Sequence, residues 1–284
     1  MNHLGWSRIF GLVIPYFIIV GIFQLIGASI AEIPLDNSSY EESTIQHVTM
    51  SFSSFLGTML LIWLFMKFVD KEPFIEVGFH IKNREKDIVI GVFLGLIIMV
   101  IAYLGLSLFN QVIFERLNFN FLELFYTTLI FILVAILEEV LFRGYVLKNL
   151  MLSFNKYIAL FVSSILFSLM HGANPNISMF SLLGLFLAGM ALGATYIYTR
   201  NLWYPIAFHF SWNFFQSLLG FNVSGQDIYS IIEFTIPENN KINGGLFGFE
   251  GSIFSLIIEF LLVILIMYYY QIKKKNQSTE NESI

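Results

Sequence analysis

The chain has 284 residues, 57% of them hydrophobic and only 12% charged, with 32 Phe and a mean hydropathy of +0.74. Such a composition excludes an ordinary soluble domain and describes helices written for lipid, with one membrane domain enough to hold them. A net charge of −5 argues against a nucleic-acid partner, and the absence of Cys excludes disulfides, thiol catalysis and thiolate metal sites.

Eight apolar segments follow in order, at 9–31, 48–69, 88–109, 121–147, 157–171, 178–199, 203–219 and 252–270. The predicted fold is therefore all-α, a polytopic membrane bundle of about eight transmembrane helices. The first segment ends in Ser29-Ile30-Ala31, which resembles a signal-peptide cleavage site, but its apolar run is too long for a signal peptide and is read as a span. The fifth segment is short, as expected of a helix that stops inside the protein or meets a thinned bilayer. The organisation expected is three N-terminal helices and their loops over 1–120, a four-helix core over 121–219, an outer loop over 220–251, and a last helix with a polar tail over 252–284. The loop contains Gly244-Gly245, Gly248 and Gly251 and is long enough to fold over the outer mouth of the bundle. The tail from Lys273 onward reads as disordered.

Charge alternates between the connections. With the N-terminus in the cytoplasm, that side collects Arg8, Lys67, Lys71, Lys82, Arg84, Lys86, Lys148, Lys156, Arg200 and Lys273-Lys274-Lys275, while the other side holds Arg116 and Lys241. Both termini are expected to be cytoplasmic. Glu32, Asp36, Glu41, Glu42, Asp227, Glu233 and Glu238 fall on the outer connections. His3, His47 and His80 lie outside the apolar runs and are read as solvated.

The fourth segment carries the most informative stretch, Glu138-Glu139-Val140-Leu141-Phe142-Arg143. Ionisable residues at membrane depth face the protein interior and mark function or a structural ion pair. Glu139 and Arg143 stand four apart with the acid first, the favourable arrangement for a pair within one helix. Glu138 is turned about 100° from Glu139 and is the carboxylate left free to react. Downstream, Phe167 and His171 share a face of the fifth segment, and His209 and Asn213 share a face of the seventh. Glu259 is an unpaired acid in the last span and has no role in this reading.

Rise per residue sets the depths. Glu138 lies about 15 Å in from Lys148 and His209 about 13 Å in from Arg200, whereas His171 lies about 22 Å from Lys156. The estimate predicts a cytoplasm-facing cluster of Glu138, His209 and Asn213, with His171 joining if the short fifth helix tilts. Such a cluster has the parts for hydrolysing an amide: a carboxylate and a histidine to take a proton from water, and a second histidine with an asparagine amide to bond the oxyanion.

These three patterns, EExxxR, FxxxH and HxxxN on separate membrane helices, resemble the motifs of the CPBP family of intramembrane proteases, also called the Abi family. The resemblance runs from about Phe121 to Leu219 and includes Gly189-x3-Gly193 and Arg200-Asn201-Leu202-Trp203-Tyr204-Pro205-Ile206 before His209. It implies that Glu138 and His171 activate the hydrolytic water, that His209 and Asn213 form the oxyanion site, and that Glu139 and Arg143 support them. It implies no cofactor, although two His and one Glu are also a zinc ligand set, and zinc stands as the alternative. The partners implied are membrane lipid and a peptide or protein substrate, with or without a lipid modification. The setting implied is integral and multi-pass in a bacterial plasma membrane. A noncatalytic scaffold, a bacteriocin self-immunity protein and a transporter are the competing readings, the last without paired broken helices to support it.

Overall fold

In lipid a backbone must satisfy its own polar groups, and a single segment does so only as a helix. The computed structural model describes residues 4–34, 40 and 42–282, with side chains as far as 276. His3, Asp36 and Glu41 lie outside the described residues. All eight apolar segments are helical: α1 (Leu4–Ile30), α2 (Thr44–Phe65), α3 (Glu85–Leu108), α4 (Phe121–Glu139) continued by α5 (Lys148–Ser153), α6 (Lys156–Met170), α7 (Met179–Thr199), α8 (Trp203–Leu218) and α9 (Ile253–Glu282). Between α4 and α5 the rod widens into a π-helical stretch over Val140–Leu147. Six of the rods are long and apolar enough to cross a membrane. α6, with 15 residues, and α8, with 16, are shorter. The protein is an integral, multi-pass helical bundle.

Local chemistry fixes the ends that matter. The Asn120 side chain accepts from the backbone N–H groups of Leu122 and Glu123 and starts α4. Asn155 does the same for α6 through Tyr157 and Ile158, both at 3.0 Å. These caps satisfy donors that a helix start leaves unpaired. Because α6 begins at its cap and ends at Met170, His171 sits on its C-terminal cap and not within a longer span.

Small residues let the helix carrying His209 approach its neighbour. A methyl group on Gly95 of α3 would lie 2.8 Å from the Trp212 backbone nitrogen, and one on Gly91 would lie 2.9 Å from the Phe208 nitrogen. At the same contact Ser211 Oγ donates to the Val92 carbonyl at 2.5 Å. Close backbone approach supported by an interhelical hydrogen bond is the usual packing solution in lipid.

Two features depart from the sequence reading. A pair of short strands, β1 (Ile113–Leu117) and β2 (Ile232–Thr235), forms an antiparallel ribbon, with Ile113 opposite Thr235 and Leu117 opposite Ile232. The otherwise helical fold thus has a small sheet outside its spans. The C-terminal tail, expected to be disordered, continues α9 as helix to Glu282.

The connections fall on two faces. One bears 71–84, 154–155 and 200–202, with Lys71, Lys82, Arg84 and Arg200 among them and Lys156 adjoining; the other bears 31–34, 42–43, 109–120, 171–178 and 219–252. On the basic side, Val77, Tyr145, Leu147, Tyr196 and Leu202 are wholly buried and Tyr196 donates to the Val77 carbonyl at 2.9 Å, forming a packed floor beneath Arg143.

Candidate active site

The adjacent acids of α4 separate as helical phase requires. Glu139 is fully buried and Arg143 is 1% exposed, while the Glu138 side chain keeps 19% of its surface and looks into a cavity of about 360 Å³. Arg143 Nη1 donates to Glu139 Oε1 at 2.7 Å, and its Nη2 donates to the Gly189 carbonyl of α7 at 3.1 Å. The guanidinium lies over the Phe167 ring at 4.4 Å. Each of these contacts offsets the cost of removing a charge from water.

Glu139 Oε1 has a second partner, His209 Nδ1 of α8, at 2.9 Å. A carboxylate accepts only, so His209 Nδ1 carries the proton and Nε2 faces the cavity. His171 is set the same way: its Nδ1 lies 2.8 Å from the Phe167 carbonyl, which fixes the proton there and turns Nε2 outward. Both Nε2 atoms converge on Glu138 Oε2, from His171 at 3.8 Å and from His209 at 3.9 Å. Those separations are too long for direct hydrogen bonds and match groups joined through one water. Glu138 Oε2 is buried with no hydrogen-bond partner among the described residues. Asn213, one turn beyond His209, also lines the cavity.

All six residues singled out in the sequence therefore meet: Glu138, His171, His209 and Asn213 at the cavity, Glu139 and Arg143 behind them. His171 joins through its place on the α6 cap. The expectation of a cavity on the cytoplasmic, basic side needs correction. The cavity lining includes His47, Asn174, Ser224 and Gln226 from the opposite face and no residue of the basic connections. The depth count assumed straight helices normal to the membrane, whereas the histidine that completes the site lies at the far end of a short helix.

Four further titratable residues reach the cavity. His47, read as solvated, is partly buried on its wall beside Glu42, and Tyr16 contributes from α1. Glu259, left without a role, and Glu250, passed over entirely, also line it. Burial pushes the Glu250 carboxyl above the ordinary carboxylate range, against the opposing Ser224 hydroxyl, His171 and His209. The available signal for Glu250 was an acid isolated in the apolar run Gly248-Phe249-Glu250-Gly251.

Zinc was the alternative for this donor set. Among the described residues no group of three or more His, Cys, Asp and Glu side chains is disposed to hold a metal ion.

Fold and site together define a polytopic membrane protein with a carboxylate–histidine centre in a cavity of about 360 Å³. Residues 120–215 match the family described as type II CAAX prenyl endopeptidase, Rce1-like, which is the CPBP, or Abi, family. The match covers about a third of the chain and contains all six site residues. The match supports a CAAX-type intramembrane protease in general, and such a family implies a peptide or protein substrate in the membrane. A comparison with curated proteins found no significant match.

Proposed function

We propose that the chain is an endopeptidase that hydrolyses a peptide bond with water activated by Glu138 and His171. The observation that carries this reading is the convergence of two oriented Nε2 atoms on Glu138 Oε2 at 3.8 and 3.9 Å. A water bridging Glu138 and His171 gives its proton to that pair while its oxygen attacks the scissile carbonyl carbon. The carbonyl oxygen becomes an oxyanion, bonded by the Asn213 amide and by His209 Nε2–H. With Glu139 holding the Nδ1 proton, His209 donates from Nε2 only as the doubly protonated ring. Collapse of the intermediate breaks the C–N bond, and the proton taken from water passes to the leaving amine. Glu139 and Arg143 touch no reacting atom; they orient and charge-balance His209.

The substrate is a membrane-associated peptide entering from the face that bears the 171–178 and 219–252 connections, from which the cavity draws Asn174, Ser224, Gln226 and Glu250. Nothing in this geometry requires a prenyl group. Cleavage of quenched fluorescent peptides by the purified chain tests the reading, with Glu138→Gln alongside and with and without a strong chelator. Activity lost in Glu138→Gln and retained in chelator is the expected result. Loss to chelator with recovery on adding zinc would instead make His171 and His209 ligands.

A further inference from the structure

The cavity holds more acid than the hydrolytic centre uses. Glu250, on the 3₁₀ turn Phe249–Gly251, is 4% exposed, and Glu259 of α9 is 1% exposed; both line the cavity with Glu138. Among the described residues no Lys or Arg is on that lining. Glu250 Oε2 accepts from Ser224 Oγ at 2.7 Å, and Glu259 Oε1 accepts from Ser255 Oγ at 3.1 Å. Glu259 Oε2 has no hydrogen-bond partner among the described residues. A buried acceptor left unbonded is costly, which makes this atom a receptor for a donor that arrives from elsewhere.

The chain is built to keep Glu250 there. A methyl group on Gly184 of α7 would lie 2.4 Å from the Glu250 carbonyl oxygen, so the turn rests directly on the helix. Gly248 has φ +103 and a methyl group there would lie 1.8 Å from the Asn222 carbonyl oxygen, so only glycine fits two residues before the acid. Phe249 is fully buried, with its ring 6.1 Å from Trp212 of α8. Leu185, Ala188 and Trp212 give the adjoining wall an apolar surface of the kind that receives the methylene stem of a long cationic side chain.

We propose that Glu250 and Glu259 form a substrate subsite for a cationic group bearing several N–H donors, a lysine or arginine side chain or a free α-amine, next to the cleaved bond. This rests on the protease reading of the same cavity. The bound cation supplies the missing partner of Glu259 Oε2 and balances a lining that is otherwise acidic. The proposed centre then cleaves beside a positive residue in preference to a neutral one.

The test uses the full chain in detergent and labelled peptides that differ only in carrying Lys or Gln on either side of the scissile bond, each with a free or acetylated N-terminus. Binding is measured on Glu138→Gln, so that it does not depend on hydrolysis. The Lys peptide should bind about tenfold or more tightly than the Gln peptide, the size of one charge-assisted hydrogen bond. Adding Glu259→Gln, or Glu250→Gln where the former does not fold, should collapse that ratio to near one. Preference for the unacetylated peptides alone assigns the cation to the α-amine, and preference for Lys in acetylated peptides assigns it to a side chain. Equal binding of all peptides, no binding of the Lys peptide, or a ratio that survives both substitutions overturns the subsite. Charge-selective binding with no cleavage by the native chain would retain the subsite and remove the protease reading; Glu138-dependent cleavage without charge selection would do the reverse.

Discussion

Glu139 Oε1 serves two donors at once, Arg143 and His209, on two different helices. Removing one partner of such a buried pair leaves an uncompensated charge, so Arg143→Leu and Glu139→Leu should each destabilise the protein by about 3–5 kcal/mol, seen as a lower unfolding midpoint in detergent. Glu138→Gln should leave that midpoint in place and lower the rate of cleavage by about 10²–10⁴-fold, the range of general acid–base catalysis. Glu138, Glu139 and Arg143 were legible in the sequence because their division of labour is a matter of helical phase within six residues. Glu250 was not: it reaches the cavity through a 3₁₀ turn seated on Gly184, a relation between distant segments that no local period encodes.

At the scale of elements, α8 is held in register by α3. Substituting Gly95 with leucine would drive a side chain into the Trp212 backbone, and overpacking of this kind costs about 1–3 kcal/mol. Because His209 and Asn213 ride on α8, the same change should reduce cleavage by more than it reduces stability; thermal unfolding and kcat measured together would show it. The helices were readable from apolar length. The strands were not, since Ile113–Leu117 and Ile232–Thr235 are short, lack a clear two-residue alternation and find each other across more than a hundred residues. Their pairing is marked by Arg116 and Glu233 at 2.5 Å, with Asn118 donating to the same carboxylate. The Arg116 hydrogen bond holds Glu233 below the ordinary carboxylate range. A depressed carboxylate contributes its stability above the ordinary range and loses it as pH falls through the folded value. Hydrogen-exchange protection of the β1 and β2 amides should accordingly be greater at neutral pH than in acid, and Glu233→Gln should remove the difference.

For the whole molecule, orientation follows from where the Lys and Arg lie. The basic face is expected inside, and a chain with no cysteine allows a clean check. Thr235→Cys on β2 should react with an impermeant maleimide added to whole cells, whereas Lys82→Cys should react only after the membrane is opened; the opposite pattern would invert the orientation. Depth of the cluster was half legible: the sequence brought Glu138 and His209 to one level but placed their cavity toward the wrong connections, because counting from the basic anchors assumed straight helices normal to the membrane. The floor of Val77, Tyr145, Leu147, Tyr196 and Leu202 has a consequence for the cell that holds this protein. An enzyme that admits water into a bilayer is a potential short circuit for protons and ions. Here the cavity is separated from the basic face by side chains with no exposed surface, and Glu139 and Arg143 above them are locked to each other. Under the proposed function, water admitted for hydrolysis would meet a barrier there rather than a path across the membrane.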